Sequence, residues 1–197
     1  GSSSKFDTFE TGRKGFRAVM FDEREIESQG MFFSSSKSDA AGYGSNVMAV
    51  HLSVQNPLMD PNDIGSSSKD PASMARVKQA WADVEYILEP LIYDHGDHRR
   101  IDYDNGISAI KVDEDGEWVS KMFVDGKLDW DVLDNPDVVA RLKERGYDGV
   151  RVYEGNDESG ESWFVVRPNQ IKSATGNSGA FDPNDPRIDA ATLSPQE

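Results

Sequence analysis

The chain contains no cysteine, which excludes a disulfide framework, a thiolate zinc site and a cysteine nucleophile. It has no apolar run near the roughly 18 residues that a membrane-spanning helix needs. No signal-peptide pattern opens it, so a soluble protein without a membrane partner is the expectation. Basic residues are few: 21 Lys and Arg stand against 36 Asp and Glu, for a net charge of -15. Phosphate backbones are gripped by clustered cations, so no nucleic-acid partner is expected. Histidine is scarcer still, with three in the chain. His51 falls alone in a strand pattern, and His95 and His98 lack the further ligands a metal site needs, so no metal is expected. The acidic run Asp113-Glu114-Asp115-Gly116 lacks the ligand spacing of a calcium loop. No Gly-x-Gly-x-x-Gly follows a strand, which removes a Rossmann dinucleotide site.

What is present suffices for one domain: 197 residues, 37% of them hydrophobic, with a mean hydropathy of -0.64. Asp70-Pro71 and Asn135-Pro136 each place a capping side chain before a helix-compatible proline. After the first, Met74, Val77, Trp81, Val84 and Leu88 recur on one face and Pro90 stops the helix. After the second, Val138, Val139 and Leu142 form the buried face and Arg145-Gly146 closes it. Strands are expected at Val47 to Val54 and at Trp163 to Val166, and Gly146 to Tyr153 is read as turning into a strand. Ile107 to Val112 and Glu117 to Val124 read as a hairpin, and Phe16 to Phe21 as a short strand after a charged loop. Arg13, Lys14 and Arg17 there are cations that can meet a pyrophosphate or simply sit in water. Short strands interspersed with two strong helices predict a mixed α+β domain. Residues 178–197 turn to Gly, Asn, Asp and Pro and read as a polar, disordered tail.

The stretch with most chemical content is Gly30-Met31-Phe32-Phe33-Ser34-Ser35-Ser36-Lys37-Ser38-Asp39-Ala40-Ala41-Gly42-Tyr43. An apolar run leaves a glycine, crosses a serine cluster able to cap a helix, and reaches a tyrosine after small residues that permit close approach. Two aromatic rings from its ends can flank one flat ligand, or fill a core.

This stretch resembles the nicotinamide-binding segment of ADP-ribosyltransferases of the diphtheria-toxin and poly(ADP-ribose) polymerase type. Phe32 falls on the first tyrosine of their pattern, Phe33 on the neighbouring phenylalanine and Tyr43 on the second tyrosine. Trp163-Phe164-Val165-Val166-Arg167-Pro168-Asn169-Gln170-Ile171-Lys172-Ser173-Ala174-Thr175-Gly176-Asn177 resembles the closing strand of the ADP-ribosyltransferase-like domains of phage and mobile-element polyproteins. The turn Tyr147-Asp148-Gly149-Val150 also recurs in those domains. Gly1-Ser2, ahead of Phe6-Asp7-Thr8-Phe9, matches the end of a histidine-glycine-serine motif whose histidine would precede Gly1.

The resemblance implies a split mixed β-sheet core with two or more flanking helices over residues 1–177. It implies NAD as substrate, with Gly1, Ser2, Gly30, Phe32, Phe33, Ser38 and Tyr43 as its binding residues. It also implies transfer of ADP-ribose to a host protein inside the bacterial cytoplasm. In such transferases a glutamate precedes the aromatic that opens the closing strand. Here Ser162 holds that slot and Glu161 stands one step earlier, so Glu161 and Ser162 are both candidates for the catalytic position. Ala40 replaces a serine that bonds the nicotinamide amide, with Ser38 nearby. These departures leave open a degenerate NAD-binding or protein-interaction module with the same fold.

Overall fold

The two capping residues do what their chemistry requires. In the computed structural model Ser73 N donates to Asp70 Oδ2 at 3.0 Å, while Asp137 N and Val138 N donate to Asn135 Oδ1 at 2.9 and 3.3 Å. The structure describes residues 8–12, 14–19, 22–27, 29–61, 63–64, 70–95, 98–103, 106–108, 123–124, 126–153, 161–175, 182 and 184–188.

In chain order, β1 (Lys14–Val19) and β2 (Asp22–Glu27) form an antiparallel hairpin where a charged loop and one short strand were expected. β3 (Met31–Ser34), α1 (Lys37–Gly42), β4 (Val50–Leu52) and β5 (Pro57–Leu58) follow. The long helix α2 (Pro71–Leu88) leads to β6 (Ile92–His95), β7 (His98–Tyr103) and β8 (Gly106–Ser108), a three-stranded meander. β9 (Phe123–Val124) and β10 (Lys127–Asp129) precede α3 (Pro136–Glu144). β11 (Gly149–Tyr153), β12 (Ser162–Val165) and β13 (Ile171–Ser173) complete the described strands. Most of the expected hairpin at Ile107 to Val124 lies outside the described residues.

The main sheet runs β3-β12-β11-β10-β9, with β5 also parallel to β11. β10 and β11 are parallel, and α3 is the crossover between them. β13 and β4 form a separate antiparallel pair, so the sheet is split, as expected for this α+β class.

Alternation along β12 divides the core. Phe164 faces the helices, packing in the cluster that holds Val84, Leu88, Val139, Leu142 and Val150. Val165 faces the opposite way, joining Met31, Ile171 and Ile188 beside β4. Burial in α2 starts only at Ala80, so Met74 is exposed although the period placed it on the apolar face. The expected buried strand at Val47 to Val54 shortens to β4, with His51 exposed.

Tyr147 ties α2 to the start of β11, its hydroxyl donating to Asp83 Oδ2 at 2.9 Å. Burial, then this bond to a carboxylate, pushes the phenol up to about 12, so the tie persists well into alkaline solution. Gly146, at φ +82°, ends α3 in the left-handed region where a side chain would be strained.

The expected tail needs correction at its centre. Ile188 is buried in the second cluster, Ser173 N donates to its carbonyl at 2.7 Å, and Arg187 bridges to Thr8. Lys172, only 1% exposed, donates through Nζ to the carbonyls of Asp185 and Arg187 at 2.6 and 2.7 Å. Composition made this segment look featureless because the clamp uses its backbone. Lys172→Met removes the donor while keeping most of the packing volume, and orphaned carbonyls are costly. A loss of about 2 kcal/mol is expected in chemical denaturation, and an unchanged midpoint would show that the clamp contributes nothing.

Candidate active site

The two stretches singled out in the sequence meet as neighbouring strands. β3 pairs antiparallel with β12, placing Phe33 opposite Trp163 and Phe32 opposite Phe164. Phe32 packs against Phe164 with ring centroids 4.9 Å apart, and Phe33 meets Phe9 edge-on at 5.3 Å. Gly30 allows this approach. A Cβ there would collide with the Phe164 ring and come within 2.6 Å of the Val165 carbonyl.

Each serine from Ser34 to Ser36, at the end of β3 and just beyond it, has a separate task. Ser34 Oγ accepts from Ser36 N at 3.1 Å, and Ser36 Oγ caps α1 by accepting from Asp39 N at 3.3 Å. Ser35 reaches across to the other stretch: its N–H donates to the Glu161 carbonyl, and Glu161 N donates to Ser35 Oγ, both at 2.8 Å. Residues 126 positions apart are thereby locked together at the mouth of the sheet.

Around this junction lies a cavity of about 720 Å³, within the range of small-molecule sites. Phe9, Phe32, Phe33, Tyr43, Trp130 and Trp163 all line it. Val47, Met48 and Ala49, expected as strand, are wall residues instead. Glu161 is the one formally charged residue among the described residues of the lining. Tyr43 directly follows α1 and is 75% exposed.

The expected site residues therefore divide. Phe32, Phe33, Tyr43 and Glu161 share the cavity. Gly30 shapes the strand pair without lining it, and Ser38 is exposed, its hydroxyl bonded to Ser36 Oγ at 2.8 Å. Ser162, paired with Ser34 and Val152, is 1% exposed and absent from the lining, since alternation turns it to the helix side with Phe164. Gly1, Ser2 and Arg13 lie outside the described residues, while Lys14 and Arg17 fall on β1. Trp130 was not anticipated, because nothing local marks a tryptophan in a short turn as a wall of a distant cleft. Phe9 had a signal, in the phe-asp-x-phe segment.

The Glu161 side chain is about half exposed, and Arg151 Nε lies 2.9 Å from its Oε1. That distance makes an ion pair, although the N–H does not point along it as in a good hydrogen bond. Among the described residues no group of three or more His, Cys, Asp or Glu is placed to hold a metal. No described helix is long and apolar enough to cross a membrane.

Sheet and cavity together define an α+β domain whose cavity is lined by aromatic rings and, among the described residues, one carboxylate. Residues 1–181 match the family model of the ADP-ribosyltransferase in polyvalent proteins, and the chain belongs to that family. No curated protein and no solved structure gives a match.

Proposed function

We propose that the protein cleaves NAD at the nicotinamide–ribose bond and transfers ADP-ribose to a host protein, as part of a phage or mobile-element polyprotein acting in the bacterial cytoplasm. Family membership supports transferase chemistry in general. The observation that carries the specific reading is that Phe32, Tyr43 and Glu161, from two distant stretches, line one cavity.

In this reading Phe32 and Tyr43 offer faces for the flat nicotinamide. As the C1′–N bond breaks, its electron pair leaves with nicotinamide and positive charge grows on the ribose. The Glu161 carboxylate stabilises that charge, as carboxylates do in glycoside cleavage. The acceptor nucleophile then bonds to C1′ and gives its proton to solvent. The cavity lining favours Glu161 over Ser162 for this role, because Glu161 lines the cavity while Ser162 is buried and does not.

A second reading, an NAD-binding module without turnover, draws on Ser162 in the usual glutamate slot and on Ala40. Incubation with NAD labelled in the nicotinamide separates the two. Release of label, with transfer of ADP-ribose to protein, supports the transferase. Heat of binding in calorimetry without release supports the module, and neither signal removes both.

A further inference from the structure

Ser35 fixes the backbone of Glu161 but leaves its side chain unrestrained. Arg151 stands opposite Trp163 on the neighbouring strand β11. Side chains alternate along β12, so Glu161 and Trp163 share a face, and Arg151 meets Glu161 on the diagonal across the strand pair. The Arg151 side chain is 31% exposed and that of Glu161 48%. Their ion pair is therefore partly screened, and its contribution to overall stability is small.

Its geometric effect is larger. Glu161 precedes β12 itself, next to residues 154–160, which lie outside the described residues. A half-exposed glutamate has three rotatable bonds, and Arg151 is its one ion-pair partner among the described residues. The guanidinium is planar and always charged, so it restrains where the carboxylate can sit without changing its own state.

We propose that Arg151 is the positioning residue of the site, holding the Glu161 carboxylate on the cavity side of β12 beside Trp163. This rests on the transferase reading above. Two effects of the arginine oppose each other: it orders the carboxylate, and its positive charge offsets part of the negative charge offered to the ribose. Solvent at the half-exposed pair weakens the second effect, whereas a carboxylate displaced by about 1 Å can cost on the order of 100-fold in rate. Ordering therefore outweighs the loss of field.

The test is steady-state nicotinamide release by wild type, Arg151→Gln, Arg151→Lys, Glu161→Gln and the double variant Arg151→Gln with Glu161→Gln. Arg151→Gln is expected to lower kcat by about 10- to 100-fold with KM for NAD within about twofold and the thermal midpoint unchanged. Arg151→Lys, which keeps charge but not the planar fork, recovers part of kcat. The double variant is no slower than Glu161→Gln alone, because Arg151 has no other part in the reaction. A raised KM with unchanged kcat would make Arg151 a phosphate contact and overturn the proposal, as would a kcat equal to or above wild type. Loss of activity in Glu161→Gln with none in Arg151→Gln overturns the proposal alone. No effect of Glu161→Gln, or no release by wild type, overturns the catalytic reading and this inference with it.

Discussion

Glu161→Gln should reduce nicotinamide release by about 100-fold or more while leaving NAD binding within a few-fold of wild type. Amide and carboxylate have nearly the same shape, so the rings of Phe32 and Tyr43 and the Ser35 bonds to the Glu161 backbone remain. What is lost is the negative charge that the proposed function sets against the ribose, and removal of one preorganised electrostatic group commonly costs on the order of 100- to 1,000-fold. Ser162→Ala is the companion. Its hydroxyl is enclosed on the helix side without a hydrogen-bond partner, so its removal should change neither turnover nor binding appreciably. Single-turnover kinetics with isothermal titration separates the two variants. If Ser162→Ala proves the damaging one, the serine and not the glutamate faces the substrate.

Phe164→Ala is expected to produce the largest loss of stability of any single change near the site. The ring is buried among residues of both long helices, lies over Gly30 and supports Phe32 from beneath. Truncation of a buried phenylalanine removes its transfer free energy and leaves a cavity, together about 3–5 kcal/mol. Urea denaturation followed by circular dichroism measures this directly, and Phe164→Leu, which fills much of the volume, should cost clearly less. The effect should extend to function: with Phe32 no longer backed, NAD affinity should fall even at temperatures where the variant stays folded. A loss below about 1 kcal/mol would mean that the ring is not the buried support described above.

Much of the fold was legible where the sequence states a local rule. Asp70-Pro71 and Asn135-Pro136 predicted the starts of both long helices to the residue because capping and proline act at one position. β11 and β12 were legible from their β-branched and aromatic runs. β7 was not, because it opens on the polar run His98-Arg99-Arg100 and, among the described residues, pairs with the short strands β6 and β8. Asp185 to Ile188 was read as tail because a backbone clamp on Lys172 has no side-chain signature. Of the candidate site, Phe32, Phe33 and Tyr43 were picked out by the resemblance of their stretch to a nicotinamide-binding segment. The choice between Glu161 and Ser162 depended on which way one strand turns its side chains, and Arg151 and Trp130 enter only through long-range pairing.

The central claim is that two stretches more than a hundred residues apart build one cleft for a dinucleotide. The most direct test is a crystal structure of the protein bound to NAD. The nicotinamide is predicted to lie against Phe32 and Tyr43, with the ribose C1′ facing the Glu161 carboxylate. A dinucleotide bound elsewhere, with these rings empty at saturating NAD, would contradict the account.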